Sequence, residues 1–471
     1  MKSAHVRLSI RPLTYALAAG LGLVLDLSGA LHVYSLGTLS QLLAAATALL
    51  LVGIAAGWLL VARRASATYA AGLAQPTSDD RPASHDNARI TQRLLTLLML
   101  LAWLATTRDL TVFLAPALAP LWVILAGAGA LLFALALVRP PAVGWLLLGA
   151  ALLGSVARVA SFAYVPIEPA RGDMLPLVQQ ALGNLLAGRS PYTRYFMPWE
   201  LPLTYLPVTW LAYLPPYALG LDIRLTNLLA ELLIGAALSW LAVARHEPHG
   251  SRRDEPGRLL WAWIFLQPTS LNWSLSTTAP VLWALLALTL ALTLGGRLRS
   301  AAIALGLCAA ASPLAVVVAP FVLLRWLRVA GWRRTMLLGC GAGLVALAFV
   351  LPFLIWSPQE FLFGGLRWFN DNELFPRLRW DLDQTWARMV GFSGIFWRHG
   401  LVGILKPLQA LLLAGLIGLY WRWGASGERL APIVVAAFLL FMVFNPVLWP
   451  YLYNPALIAA LVAAIAIQAE R

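Results

Sequence analysis

Long apolar runs separated by short polar clusters fill the chain from end to end. A helix needs about 20 such residues to cross a bilayer. The runs at 13–36, 39–62, 94–115, 118–138 and 143–165 meet that length. Further runs lie at 223–244, 259–273, 276–294, 335–355, 401–421, 430–446 and 450–467. The run 300–324 is bracketed by arginines and interrupted at Ser312-Pro313, which predicts a hairpin of two short helices. The segment 203–219 is also apolar, but Pro202, Pro207, Pro215 and Pro216 cut it into short pieces. Counting it as a span would place Arg252, Arg253 and Arg258 outside, against the arginine bias of cytoplasmic loops. It reads as a re-entrant or interface-lying element, which is tolerated where protein covers the backbone. The pattern predicts an all-α polytopic membrane protein, a bundle of about 14 membrane helices with juxtamembrane helices on its outer side.

Charge gives the orientation. Lys2, Arg7 and Arg11 precede the first run and hold the N-terminus in the cytoplasm. No small-residue cleavage site follows, so that run reads as a first span. The polar segment 63–93 carries Arg63, Arg64, Arg81, Arg89 and Arg93 and reads as a disordered cytoplasmic linker. Threading the remaining runs puts the C-terminus inside as well. Two large loops, 166–222 and 356–400, then face outward. Residues 1–142 form four extra N-terminal membrane helices, and 143–467 form the core.

Composition agrees with this class. Of 471 residues, 61% are hydrophobic and only 11% charged, and the mean hydropathy is +0.77. No soluble domain of this length could hide so much apolar surface. The net charge of +14 reflects arginines on cytoplasmic loops, not nucleic-acid binding. Lysine occurs only at Lys2 and Lys406, a skew expected of a GC-rich bacterial genome and hence of a bacterial plasma-membrane protein. Cys308 and Cys340 fall in apolar runs and offer neither a disulfide framework nor a zinc site.

Candidate chemistry gathers on the two outer loops. Asp173 follows Glu168, Arg171 and Gly172. After it, Leu175, Val178, Leu182 and Leu185 recur at helical spacing opposite Gln179, Gln180 and Asn184. This predicts an amphipathic helix on the membrane surface, ended by Gly188. Asp173 is either its N-cap or a general base for a hydroxyl, and the two roles can coexist. Arg171, Arg189, Arg194 and Arg224 surround the helix and can grip phosphate, or simply snorkel to the interface. Glu200 joins them as a polar contact, and Tyr192, Tyr195, Trp199, Tyr205 and Trp210 offer surfaces for stacking on sugars or for the interfacial belt. The second loop adds Arg367, Asn370, Asp371, Arg377 and Arg379 among Trp368, Trp380 and Trp386, a mixture suited to a polyol and a phosphate. His399 is a candidate second base or phosphate contact. Asp381-x-Asp383 has metal-ligand spacing, but as a single pair it assigns no metal site. Tyr451, Tyr453 and Asn454 close the last outer turn. Asp26, Arg108-Asp109, Arg158, Glu231 and Lys406 are charges within membrane runs, expected to face the bundle interior or a cavity.

Several of these motifs occur together. A span leads out to Gly172-Asp173, and a surface helix ends in LLAGRSPY at 185–192. A Pro-rich apolar element follows, then GLDIRLTN opens the next span at 220–227. This arrangement resembles the GT-C superfamily of membrane glycosyltransferases, most closely its bacterial mannosyltransferase-like branch, over residues 143–467. The Ser312-Pro313 hairpin and NPVLWPYLYN at 445–454 fit the same architecture. The resemblance implies transfer of a mannose-like hexose or a pentose from a polyprenyl-phosphate donor to an extracytoplasmic glycan or lipid acceptor. It implies Asp173 as the base, inversion at the anomeric carbon and no cofactor. No paired acids of the metal-dependent type stand beside Asp173. Two other readings are a transporter or flippase of lipid-linked sugars and a catalytically inactive relative that scaffolds envelope assembly.

Overall fold

The computed structural model describes residues 10–33, 38–72, 81–111, 119–197, 199–244, 255–368, 390–445 and 449–467. The first five apolar runs become α1 (Ile10–Val33), α2 (Thr38–Gly72), α3 (Arg81–Thr111), α4 (Ala119–Val138) and α5 (Val143–Tyr164). The expected linker 63–93 is largely helical. α2 continues past Arg63 and Arg64 to Gly72, and α3 begins at Arg81. Ala, Arg and Gln are strong helix formers, so polarity alone does not stop a helix once it is nucleated.

After α5 the chain forms α6 (Met174–Leu186), the antiparallel strands β1 (Arg194–Met197) and β2 (Trp199–Pro202), and two five-residue helices, α7 (Pro207–Leu211) and α8 (Leu214–Ala218). The segment 203–219 is therefore not a span. Its prolines sit in the first turns of those short helices, where their missing N–H costs nothing. The hairpin was not foreseen, although the aromatic and aliphatic run RYFM alternates exposed and buried positions as a strand does.

Next come α9 (Leu225–Ala244), α10 (Glu255–Phe265), α11 (Pro268–Ser276) and α12 (Ala279–Leu294). One expectation is corrected here: 259–273 is not a single span. Pro268 cannot continue a helix, and Gln267 before it is extended at φ −69°, ψ 144°. α11 then bends by 111° from α12. The predicted hairpin at Ser312-Pro313 is present, joining α13 (Leu298–Ala311) to α14 (Ala315–Trp356). α14 turns at Gly331, whose φ of 75° suits glycine, so the expected run 335–355 lies beyond that bend. The chain finishes with α15 (Pro358–Leu362), a π turn (Phe363–Arg367), α16 (Ser393–Arg398), α17 (Leu405–Arg422), α18 (Gly427–Met442), a 3-10 turn (Pro450–Tyr453) and α19 (Asn454–Ala466).

α19 is the axis of the bundle. Every residue from Pro455 to Ala466 is buried, as expected of a helix apolar on all sides. Alanines at 456, 459, 460, 463 and 464 let α1, α9, α10, α12 and α18 pack closely around it. Among the described residues, six helical segments are long and apolar enough to cross a membrane, or seven when α11 and α12 count as one bent span. Outward leucine, isoleucine and valine side chains, such as Val123, Ile124 and Leu131 on α4, present an apolar exterior. The chain is a helical, multi-pass membrane protein.

A buried ion pair ties the bundle together below the outer loops. Arg158 of α5 donates from Nε and Nη2 to the two carboxylate oxygens of Glu231 on α9, at 2.6 and 3.1 Å. Its remaining donors reach the carbonyls of Gly154 and Phe265 and the hydroxyl of Ser270. The guanidinium also lies 3.9 Å above the Phe265 ring. Every charge is thus matched, the condition for keeping such a pair in an apolar interior.

Candidate functional site

Asp173 heads α6 because the chain leaving α5 turns sharply at Gly172. A Cβ on Gly172 would stand 2.8 Å from the carbonyl oxygen of Ser276, so only glycine lets the loop rest on the end of α11. Asp173 occupies the N-cap position, yet its backbone is helical (φ −77°, ψ −15°) and its carboxylate makes no capping bond to the first-turn amides. The capping role that the sequence allowed is therefore not used.

Tyr205 lies close enough to feel both Asp173 and Tyr451, from a distant part of the chain. The Tyr205 phenol is held well above its ordinary pKa, first by burial, then by the negative charge of Asp173 and by Tyr451. A hydrogen bond with Thr204 opposes these effects only partly. Tyr205 thus stays protonated and able to donate. Tyr451, on the 3-10 turn before α19, rests on Trp273 of α11 with ring centroids 5.4 Å apart. A carboxylate, which accepts hydrogen bonds, beside the protonated phenol of Tyr205, which donates them, suits a hydroxyl-bearing ligand.

The floor under these groups is braced by Asn227, which is fully buried. Its amide donates to the carbonyls of Ser274 and Thr277 at 2.7 and 2.8 Å, satisfying acceptors left open at the end of α11. Its Oδ1 accepts from the Tyr213 hydroxyl at 2.5 Å. Burial holds Tyr213 well above its usual pKa, so that donor is retained. Neither residue was assigned a role from sequence. The only signal was a polar Thr226-Asn227 pair opening an otherwise apolar helix. Tyr213→Phe should destabilise the protein by about 1–3 kcal/mol, because it leaves the buried Oδ1 of Asn227 unpaired. Chemical denaturation of both proteins in the same detergent checks this.

The other sequence candidates divide into buried braces and exposed groups. Arg224 is 1% exposed. It bonds Asp222 at 2.6 Å and the carbonyls of Val165 and Phe162 at 2.6 and 2.8 Å. Placed by the sequence at a phosphate, it instead locks the end of α5 to the start of α9. Tyr192 is equally buried. Its hydroxyl donates to the Tyr205 carbonyl at 2.8 Å and accepts from Trp210 Nε1 at 3.3 Å, and its ring packs on Phe361 at 4.7 Å. Tyr195 donates to the Pro191 carbonyl, and burial pushes its phenol up to about 12. Glu168 pairs with Arg171 at 2.9 Å, and Arg194 pairs across the hairpin with Glu200 at 3.0 Å. Both pairs are solvent-exposed, so each holds its partner only weakly.

The start of the second outer loop lies directly on the first. Ser357 bonds Ser190 at 2.6 Å, and a Cβ on Gly364 would fall 2.4 Å from the Leu203 carbonyl oxygen. Arg194 stands over the Phe363 ring at 5.4 Å. Arg367 follows at the end of that π turn, exposed. Asn370, Asp371, Arg377 and Arg379 lie outside the described residues, as do Trp380, Asp381, Asp383 and Trp386. His399 is exposed just past α16, and its ring makes no hydrogen bond or ion pair among the described residues. The structure does not join it to Asp173. Its segment is anchored to the Tyr451 turn instead, through Tyr453 to the Val390 carbonyl at 2.5 Å and Ser393 to the Asn445 carbonyl at 2.6 Å.

Comparison of the chain with protein-family models, with curated proteins and with solved structures returned no match.

Proposed function

We propose that this chain is a membrane glycosyltransferase of the GT-C type, with Asp173 as its general base. The observation that carries this reading is the Asp173 carboxylate. It heads a helix without capping it and lies near Tyr205, which keeps its proton through burial and the charge of Asp173 itself. In the proposed reaction, an acceptor hydroxyl attacks the anomeric carbon of a polyprenyl-phosphate sugar as its proton passes to Asp173. The bond from that carbon to the lipid phosphate oxygen breaks, with inversion, and the phosphate leaves as the anion. The exposed guanidiniums of Arg171, Arg194 and Arg367 are the positive charges available to receive it. The lipid tail enters beside α7 and α8. This reading keeps the expectation of about 14 crossings; among the described residues four shorter apolar helices join the six or seven that meet the length rule as candidates. It puts both termini in the cytoplasm and Asp173 outside.

A mostly apolar pocket in the bundle, with Asp26, Glu231, Gln267, Thr269, Ser270 and Asn454 on its wall, favours a second reading, movement of a lipid-linked sugar across the membrane without transfer. Purified protein in nanodiscs and in sealed vesicles, given labelled polyprenyl-phosphate sugars with and without chelator, separates the two. Labelled glycan or glycolipid, formed equally in both conditions, is the expected result. Redistribution of intact donor across the vesicle bilayer with no new glycoside would replace the enzyme reading with transport.

A further inference from the structure

The N-terminus of α18 stands about 24 Å along the helix from its other end, at 1.5 Å per residue, and so lies away from the Tyr451 turn. Ser426 is its N-cap, extended at φ −73°, ψ 158°, yet the side chain makes no capping bond. The Ser426 Oγ is buried and has no hydrogen-bond partner among the described residues. Arg429 follows three positions on, the spacing at which an N-cap side chain and a first-turn side chain come together. It is 8% exposed.

Helix side chains lean toward the N-terminus, and Arg429 reaches past its own. One Nη donates to the Trp423 carbonyl, ahead of the helix, and the guanidinium stands 5.7 Å from the Trp423 ring centroid. Its Nε is buried with no acceptor among the described residues. A buried polar group without a partner is uncommon and expensive. Here a guanidinium N–H and a hydroxyl are both left open within one turn, at the positive end of a helix dipole.

More positive charge converges on this end from α14. Tyr420, near the end of α17, donates to the Ser426 carbonyl at 3.0 Å, and its phenol feels the charges of both Arg325 and Arg429. The ring of Phe321, one turn before Arg325, packs on Tyr420 at 5.7 Å. Arg328 lies 4.3 Å above the Trp421 ring. None of the three arginines makes a salt bridge among the described residues. The acid that acts on Arg429 is Glu428. One carboxylate against three guanidiniums leaves the cluster positive.

The surroundings narrow the kind of anion. Trp421, Val329 and Trp332 are exposed next to these arginines in the chain, the mixture of aromatic and cationic groups found where a membrane meets water. Basic pockets between membrane helices take anionic lipid headgroups. A phosphate offers oxygens to N–H, hydroxyl and guanidinium donors together. α14 and α17 also have only 17% of their spanning windows buried, against 39% or more for the other spans. A headgroup held between α14 and α18 would tie this loosely packed pair to the core.

We infer that the N-terminus of α18 binds the phosphate of an anionic phospholipid, with Arg429 and Ser426 as its buried ligands and Arg325 and Arg328 as flanking charges from α14.

The test uses the full chain in neutral detergent, titrated at constant ionic strength with phosphatidylglycerol, phosphatidylcholine or inorganic phosphate. Thermal unfolding followed by tryptophan fluorescence reports binding. Phosphatidylglycerol at ten times its Kd should shift the unfolding equilibrium about 11-fold toward the folded state, and phosphatidylcholine, whose headgroup has no net charge, should not. Arg429→Gln should abolish the shift. The double variant Arg333→Gln with Arg334→Gln, which removes two exposed arginines beyond the Gly331 bend, should keep it. An equal shift with inorganic phosphate supports the site and replaces the lipid by the free ion. No shift with either phosphate source, or an equal shift in Arg429→Gln, would overturn the proposal. Loss of the shift in the Arg333 and Arg334 double variant would also overturn it, leaving only diffuse attraction between exposed arginines and headgroups. Should Arg429→Gln not fold, Arg325→Gln, at a half-buried position, carries the same comparison.

Discussion

Replacing Asp173 by Asn is expected to lower sugar transfer by about 10²–10⁴-fold, the usual contribution of a positioned general base, while expression and thermal stability stay unchanged. The separation of the two effects follows from geometry. Asp173 makes no capping bond to α6, and asparagine is as good an N-cap residue as aspartate, so the substitution costs the helix little. Asparagine keeps the shape but cannot accept the hydroxyl proton. Initial rates with the labelled donor, measured beside the melting temperature of each protein, check this. Full turnover by the variant would remove Asp173 from the chemistry, and a lowered melting temperature would give its charge a structural role.

Glu231→Ala should have the largest effect on stability, a loss of about 3–5 kcal/mol, because it strands the Arg158 guanidinium in an apolar interior. Arg158 is 1% exposed and stacked on Phe265. The double variant Arg158→Met with Glu231→Leu should recover most of that loss, since packed apolar residues often replace a buried pair at no net cost. Denaturation midpoints of the two single variants and the double variant form the test. A mild effect of Glu231→Ala would mean that water already reaches the pair.

Much of the scaffold was legible in the residue pattern. The first five apolar runs became helices, α1, α4 and α5 close to their expected limits and α2 and α3 extended into the expected linker 63–93, and the hairpin at Ser312-Pro313 formed where proline interrupts an apolar run. The surface helix after Asp173 followed its leucine and valine spacing. The prolines of 203–219 mark short helices as expected, whereas Pro268 splits an apolar run into α10 and α11, and the 111° turn into α12 follows at Thr277-Thr278. The β-hairpin escaped because two four-residue strands carry too little alternation to stand out.

Side-chain roles divided along a similar line. Residue type alone marks Arg224 and Tyr192 as ligand-gripping groups, yet both are consumed in holding the backbone. Arg171, Arg194 and Arg367 share that chemistry and remain exposed. No local feature tells an arginine that meets carbonyls from one that meets solvent, because its partners lie tens of residues away.

Membrane class and helix positions could be read from the chain because burial in lipid and helical period act on neighbouring residues. The meeting of Tyr205 with Asp173 and with Tyr451, the bracing by Asn227 and the pairing of Arg158 with Glu231 came only with the folded bundle. Those contacts join residues up to 246 positions apart in the numbering. Their energy depends on distance in space, which packing around α19 sets and linear order does not encode locally.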